Sequence, residues 1–163
     1  MMLNPTWNEL DRGVWSREKL LQSFIKEAPD LEQEIRLVFS DLSTIVRKFP
    51  KSDSWVQSLK DRGYHVYYLS NYSSHVRKDT EKELTFMKLM DGGIMSYEVQ
   101  LIKPDLIIYQ TLMERYDLQP EECVFLDDTK ANIDGALRAG MQGILVKTQE
   151  QAMQDLDELL KTN

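Results

Sequence analysis

Cys123-Val124-Phe125-Leu126-Asp127-Asp128-Thr129 is the stretch on which the fold turns. Four apolar residues running into a carboxylate pair describe a buried strand that ends in charge. Adjacent carboxylates at a strand tip repel one another unless a cation or hydrogen-bond donors stand between them. Magnesium suits such a pair, because it takes hard oxygen ligands and usually only one or two carboxylates. A simpler reading is also open, in which Asp128 or Thr129 caps the helix that begins near Lys130. A cap needs one such residue, and two acids are present.

Outward from this strand, helix and strand signals alternate. Downstream, a helix over 130–139 is closed by Gly140, a strand follows at 143–146, and a last helix spans 150–160. Upstream, Pro104 suits the first position of a helix through Tyr116, with Asp105 compensating the helix dipole in the first turn. Earlier still, Ser52 or Asp53 starts a helix carrying Trp55, Val56 and Leu59, Gly63 ends it, and the apolar run 64–69 reads as a strand closing on Ser70-Asn71. Ser73 or Ser74 caps a helix to about Met90, after which Gly92-Gly93 marks a turn into a short strand near Ile94-Met95. This alternation predicts an α/β fold, a parallel sheet flanked by helices, with ligands at the carboxyl ends of the strands.

The first fifty residues follow a different grammar. Ser16 caps a helix over 17–26 that breaks at Pro29, and Asp30 with Gln33 resembles a capping box. Apolar residues from Leu31 to Val46 continue at helical spacing towards Phe49-Pro50, so this segment is predicted to be helical without strands. The expected organisation is a helical segment over 1–50 and an α/β core over 51–163.

The chain has 163 residues, 42% of them hydrophobic and 29% charged, enough for one domain with a proper core. A formal net charge of -7 argues against nucleic-acid or anionic-membrane surfaces, which require clustered Lys and Arg. The single cysteine, Cys123, excludes an internal disulfide framework and a multi-thiolate metal site, and suits a reducing cytoplasm. Residues 1–7 carry neither a basic lead nor an apolar leader core, and no apolar run approaches the roughly 20 residues needed to span a bilayer. A cytoplasmic location without membrane association is therefore expected. Oligomeric state is not legible.

Two further stretches could serve an anion. The Ser70 hydroxyl, together with the backbone N–H groups of Asn71 and Tyr72, could face a phosphoryl group, although both residue types also favour plain turns. Lys103 precedes a helix start, where its ammonium and the free N–H groups of the first turn would face one ligand. A solvated surface lysine is the competing description.

Taken in order, Leu69-Ser70-Asn71, Lys103-Pro104-Asp105 and Phe125-Leu126-Asp127-Asp128, with Asn132 and Gly140 following, resemble the second, third and fourth signatures of the haloacid dehalogenase-like (HAD) hydrolases with a helical cap. The resemblance implies a Rossmann-like core and a magnesium-dependent phosphatase acting on a small phosphorylated metabolite. It implies that Ser70 and Asn71 bind the phosphoryl group, that Lys103 neutralises phosphate and nucleophile, and that Asp128 binds Mg²⁺ with Asp127 assisting. Asn132 stands where many relatives carry a second acid. The helical segment, including Trp7, Gly13 and Trp15, resembles most of the cap that selects substrate in this family.

The first signature is missing. In the family an opening strand carries Asp-x-Asp, whose first carboxylate attacks phosphorus and whose second protonates the leaving group. No apolar strand ending that way precedes Ser70; at Asp41-Leu42-Ser43-Thr44 a serine replaces the general acid, and Asp41 is read as a solvated helix residue. The absence predicts that the strands ending at Ser70 and Asp127 lose a shared neighbour. It also suggests a shortened form of a longer phosphatase in which Met1 or Met2 is internal, with turnover by this chain in doubt. A non-catalytic phosphate- or metal-binding module is the alternative.

Overall fold

Short parallel strand pairs, each joined through helices, organise the computed structural model of the protein, which describes residues 5–162. Met1 and Met2, the candidate internal methionines, lie outside the described residues. The chain divides into two compact units. The first comprises residues up to Lys48 together with His65–Ile102, and the second comprises Phe49–Tyr64 with residues from Lys103 onward.

In the first unit, α1 (Pro5–Arg12), α2 (Arg17–Glu27) and α3 (Glu32–Ser40) precede β1 (Tyr67–Ser70), α5 (Ser74–Asp79), β2 (Gly92–Met95) and α6 (Ser96–Val99). The Ser16 side chain accepts from the Lys19 N–H and caps α2 as its sequence predicts. The capping box at Asp30 and Gln33 does not form. Pro29–Leu31 is a 3₁₀ turn, and neither it nor α3 has a side-chain cap. The helix expected to run on to Val46 stops at Ser40, because Asp41 is extended at φ -145° and ψ 106°. Asp41 is therefore not a helix residue. Its carboxylate accepts from the Ser43 N–H at 2.8 Å, an Asx turn that competes with helix continuation. Hydrogen bonds from Ser43 hold that carboxyl below its usual range. Likewise, the helix expected from Ser73 to Met90 is α5 followed by a 3₁₀ segment, Glu81–Leu89, kinked at Leu84.

β1 and β2 pair in parallel, Tyr68 opposite Gly93 and Ser70 opposite Met95. Gly92 and Gly93 thus lie inside a strand and not in the turn that their sequence suggests. The reason is close approach: a Cβ on Gly93 would sit 2.2 Å from the main-chain oxygen of Tyr68. A backbone atom cannot rotate away, so Gly93→Ala is expected to cost about 3 kcal/mol of stability. Urea denaturation of the variant checks this, and a loss below ~1 kcal/mol would show that the strands separate freely.

The second unit contains α4 (Ser52–Asp61), α7 (Leu106–Tyr116), β3 (Val124–Asp127), α8 (Lys130–Arg138), β4 (Gln142–Leu145) and α9 (Gln149–Thr162). β3 pairs with β4 in parallel, Val124 opposite Gln142 and Asp127 opposite Leu145. Ion pairs from Arg62 to Asp157 and from Lys51 to Glu150 join the α4 region to α9. Ile108, Tyr109, Leu112, Ile133, Ala136, Ile144, Ala152 and Leu156 form its apolar interior.

The fold class is the expected α/β arrangement of parallel strands and helices. Among the described residues, the four strands form two separate pairs, β1 with β2 and β3 with β4. Among the same residues, no helix is long and apolar enough to cross a membrane.

Candidate active site

The carboxylate that ends β3 is buried and accepts three hydrogen bonds. Asp127 Oδ2 accepts from Lys103 Nζ at 2.6 Å, and the two side chains are only 7% and 8% exposed respectively. Its other oxygen, Oδ1, accepts from the Thr129 N–H at 2.8 Å and from Asn132 Nδ2 at 3.0 Å. Desolvating two charges is expensive, and it is tolerated when the pair is close and its remaining donors and acceptors are matched. Here one carboxylate collects a lysine, a backbone amide and a side-chain amide. The Lys103 ammonium also lies 5.2 Å from the centroid of the Phe125 ring, one pair of positions back along β3. Lys103 is therefore a buried ion-pair partner, and its description as a solvated surface lysine is excluded.

Its setting differs from the sequence prediction in one respect. Pro104 is not the first residue of α7: the peptide before it is cis, and the helix begins at Leu106. Asp105 is the N-cap, its carboxylate accepting from the Ile107 N–H at 3.1 Å. That bond occupies one of the helix-start donors expected to face an anion. An Asx cap serves the helix directly, and it outweighs the suitability of proline for the first position.

Asp128 contrasts with Asp127. It is exposed and accepts from the Thr129 hydroxyl at 3.3 Å. Neither Asp128 nor Thr129 caps α8 through its side chain: Thr129 occupies the N-cap position without such a bond. The two acids thus divide their work, Asp127 facing inward to the protein's own donors and Asp128 facing water. Among the described residues there is no cluster of three or more Asp, Glu, His or Cys side chains that could enclose a metal. What remains is an exposed carboxylate beside a buried one that keeps a lone pair on Oδ2, a donor set that fits a cation retaining most of its waters, as Mg²⁺ does. It does not fit a metal that needs an all-protein cage.

Cys123, at the head of β3, donates to the Gln119 carbonyl at 3.2 Å. Burial, then Glu122 and Glu121, push its thiol up, which disfavours the thiolate and agrees with a packing role.

Asn132 was legible in the sequence only as a position where the family often carries an acid. Its side chain is a donor to Asp127 and it is 9% exposed. Its spacing five residues beyond Asp127, on the inner face of the next helix, is the signal that could have revealed this.

In the first unit, Ser70 closes β1 and is half-buried, with Asn71 beside it. The Tyr72 N–H is not open to a ligand as expected, because it donates to Ser96 Oγ at 2.8 Å. Ser96 is fully buried, and its hydroxyl also lies 2.5 Å from the carbonyl oxygen of Asp11. Ser73 caps α5, accepting from the His75 N–H at 3.1 Å. The structure thus brings Lys103, Asp127, Asp128 and Asn132 together within the second unit, while Ser70 and Asn71 belong to the first.

A parallel α/β chain whose strand-tip carboxylate is locked by a buried lysine, beside a second, exposed acid, fits a hydrolase. The sequence matches the haloacid dehalogenase-like hydrolase family over residues 6–140. The chain belongs to that family. It is 25% identical over 144 residues to the sesquiterpene phosphatase astK of Aspergillus oryzae, covering 86% of this chain and 72% of that protein. It is 26% identical over 159 residues to mouse acyl-CoA dehydrogenase family member 10, covering 94% of this chain but spanning only 15% of that protein. (S)-2-haloacid dehalogenases also match, at 22% and 25% identity, and the chain spans about half their length, 52% and 54%. Among solved structures, a HAD family enzyme from Bacteroides thetaiotaomicron in complex with magnesium and inorganic phosphate superposes with a TM-score of 0.70 at 19% identity, over 91% of this chain and 77% of that one. At that identity the likeness concerns the fold.

Proposed function

We propose that this chain carries the phosphate- and metal-holding part of a magnesium-dependent phosphatase for a small phosphorylated metabolite, without a nucleophile of its own. One observation carries the proposal: a buried Lys103–Asp127 pair, braced by Thr129 and Asn132, stands beside an exposed Asp128. Lys103 would offset phosphate charge from a fixed position. Asp128 would hold Mg²⁺ with Asp127 assisting, and the bound ion would supply positive charge opposite the phosphoryl oxygens. Ser70 and Asn71 are proposed as phosphoryl-binding residues from their place at the end of β1, and the helices within residues 1–50 as part of a substrate-selecting cap. The phosphatase among the relatives and the magnesium and phosphate bound to the Bacteroides enzyme support this reading. A dehalogenase needs no metal, so the acid pair weighs against it. The missing Asp-x-Asp favours a second reading, a module that binds phosphate without turnover.

Calorimetric titration with inorganic phosphate, with and without Mg²⁺, tests the site. Binding is expected to require Mg²⁺. Asp128→Asn is expected to weaken it more than about tenfold, the scale on which even outer-shell losses weaken metal sites. Because Asp128 is exposed, stability should change by less than ~0.5 kcal/mol. Equal phosphate affinity in the presence of a chelator would refute the metal role.

A further inference from the structure

Tyr109 is a fully buried tyrosine on α7, 0% exposed, and the other buried residues of that helix, Ile108 and Leu112, are aliphatic. A phenylalanine would fill the same volume, so the hydroxyl calls for an explanation. It donates at 2.7 Å to the main-chain oxygen of Asn132, the residue whose side chain holds Asp127 Oδ1. The ring meets Phe125 edge-on, centroids 5.5 Å apart at 84°, and Phe125 is the ring beside the Lys103 ammonium. Gly135, one helical turn beyond Asn132, leaves the space. A Cβ there would lie 2.8 Å from the Tyr109 hydroxyl oxygen and 3.1 Å from the Pro104 carbonyl oxygen. Burial, then the charge of Asp127, push the hydroxyl far above the ordinary tyrosine range, so it remains a donor at any working pH.

We propose that Tyr109 is a positioning residue: its hydroxyl fixes the first turn of α8, and through that turn the Thr129 and Asn132 donors that orient Asp127 towards Lys103. The chain of contacts is continuous. Tyr109 holds the Asn132 backbone, the first turn presents two donors to Oδ1, and Oδ2 is left to face Lys103. Gly135 is part of the same device, since α8 can approach α7 this closely only without a side chain there. The inference rests on the phosphate-site reading above, but the orientation of Asp127 is observable without any ligand.

The test compares Tyr109→Phe with Ile108→Val, a substitution in a neighbouring fully buried residue of α7 that only packs. In the unliganded protein, Tyr109→Phe is expected to shift the Thr129 amide and Asn132 side-chain amide resonances and to speed Thr129 amide exchange. Ile108→Val should leave all three in place. Titration with inorganic phosphate and Mg²⁺ should then show affinity falling about fivefold in Tyr109→Phe, the equivalent of one hydrogen bond, and unchanged in Ile108→Val. Identical behaviour of the two variants in both measurements would overturn the positioning role while leaving the phosphate site intact. Should the wild-type chain bind no phosphate, the phosphate reading fails instead, and unchanged Thr129 and Asn132 signals in Tyr109→Phe would overturn the role of Tyr109 separately.

Discussion

Hydrolysis of an aryl phosphate is expected to be undetectable with the present chain and to reach on the order of one turnover per second once a strand ending Asp-x-Asp is supplied ahead of it. The expectation follows from what the second unit's carboxylates can do. A nucleophilic carboxylate needs an oxygen lone pair free to attack phosphorus. Asp127 is held in place at both oxygens, Oδ2 by Lys103 and Oδ1 by Thr129 and Asn132, so it is not free to turn towards phosphorus. Asp128 faces water and is proposed as the metal ligand. Asp41, whose surroundings superficially match the family motif, sits in an exposed Asx turn and has no carboxyl two residues on to act as general acid. Supplying both carboxylates on one strand addresses both deficits. Replacing the first of them by Asn should return the activity to background. Turnover by the present chain would overturn this account, and silence from both folded proteins with Mg²⁺-dependent phosphate binding retained would favour the binding module.

The second large effect is expected at Lys103. Lys103→Met leaves Asp127 with its charge, its 7% side-chain exposure and no cationic partner, a situation that costs about 3–5 kcal/mol. Against a typical domain stability of about 5–15 kcal/mol, the variant should be close to unfolding. Adding Asp127→Asn removes the stranded charge, so Lys103→Met with Asp127→Asn should recover most of the lost stability. Phosphate binding should stay absent in both. Urea denaturation of the two single variants and the double variant gives the coupling directly. A cost below about 1 kcal/mol for Lys103→Met would instead mark the pair as screened by solvent.

How far the sequence carried these results depends on the kind of signal. β3 and the Asp127-Asp128 pair were legible because an apolar run ending in acids has few alternatives. The roles of the two acids were not, since inward and outward orientation is decided by donors distant in sequence: Lys103 lies upstream on another segment and Asn132 on the following helix. Boundaries failed where a local hydrogen bond competed with a helix. Asp41 turned the chain at the end of α3, and Asp105 moved the start of α7 two residues past Pro104. Gly92-Gly93 misled for a different reason, because glycine marks both turns and close backbone approach, and only the opposite strand distinguishes them. Tyr109 was invisible, since helical periodicity counts a buried tyrosine as core and says nothing of its hydroxyl.

The 2.6 Å contact between Lys103 and Asp127 also bears on the order in which the proposed ligands would bind. Lys103 is already neutralised before any ligand arrives, and with Asp128 beside the pair the three side chains sum to one negative charge. At the proposed site a phosphate dianion alone would meet this net negative charge, and a bound divalent cation would reverse the local sign and leave Lys103 able to act on the phosphate. Under the proposed function, occupancy by the cation and by the anion would be coupled, each raising affinity for the other by the same factor.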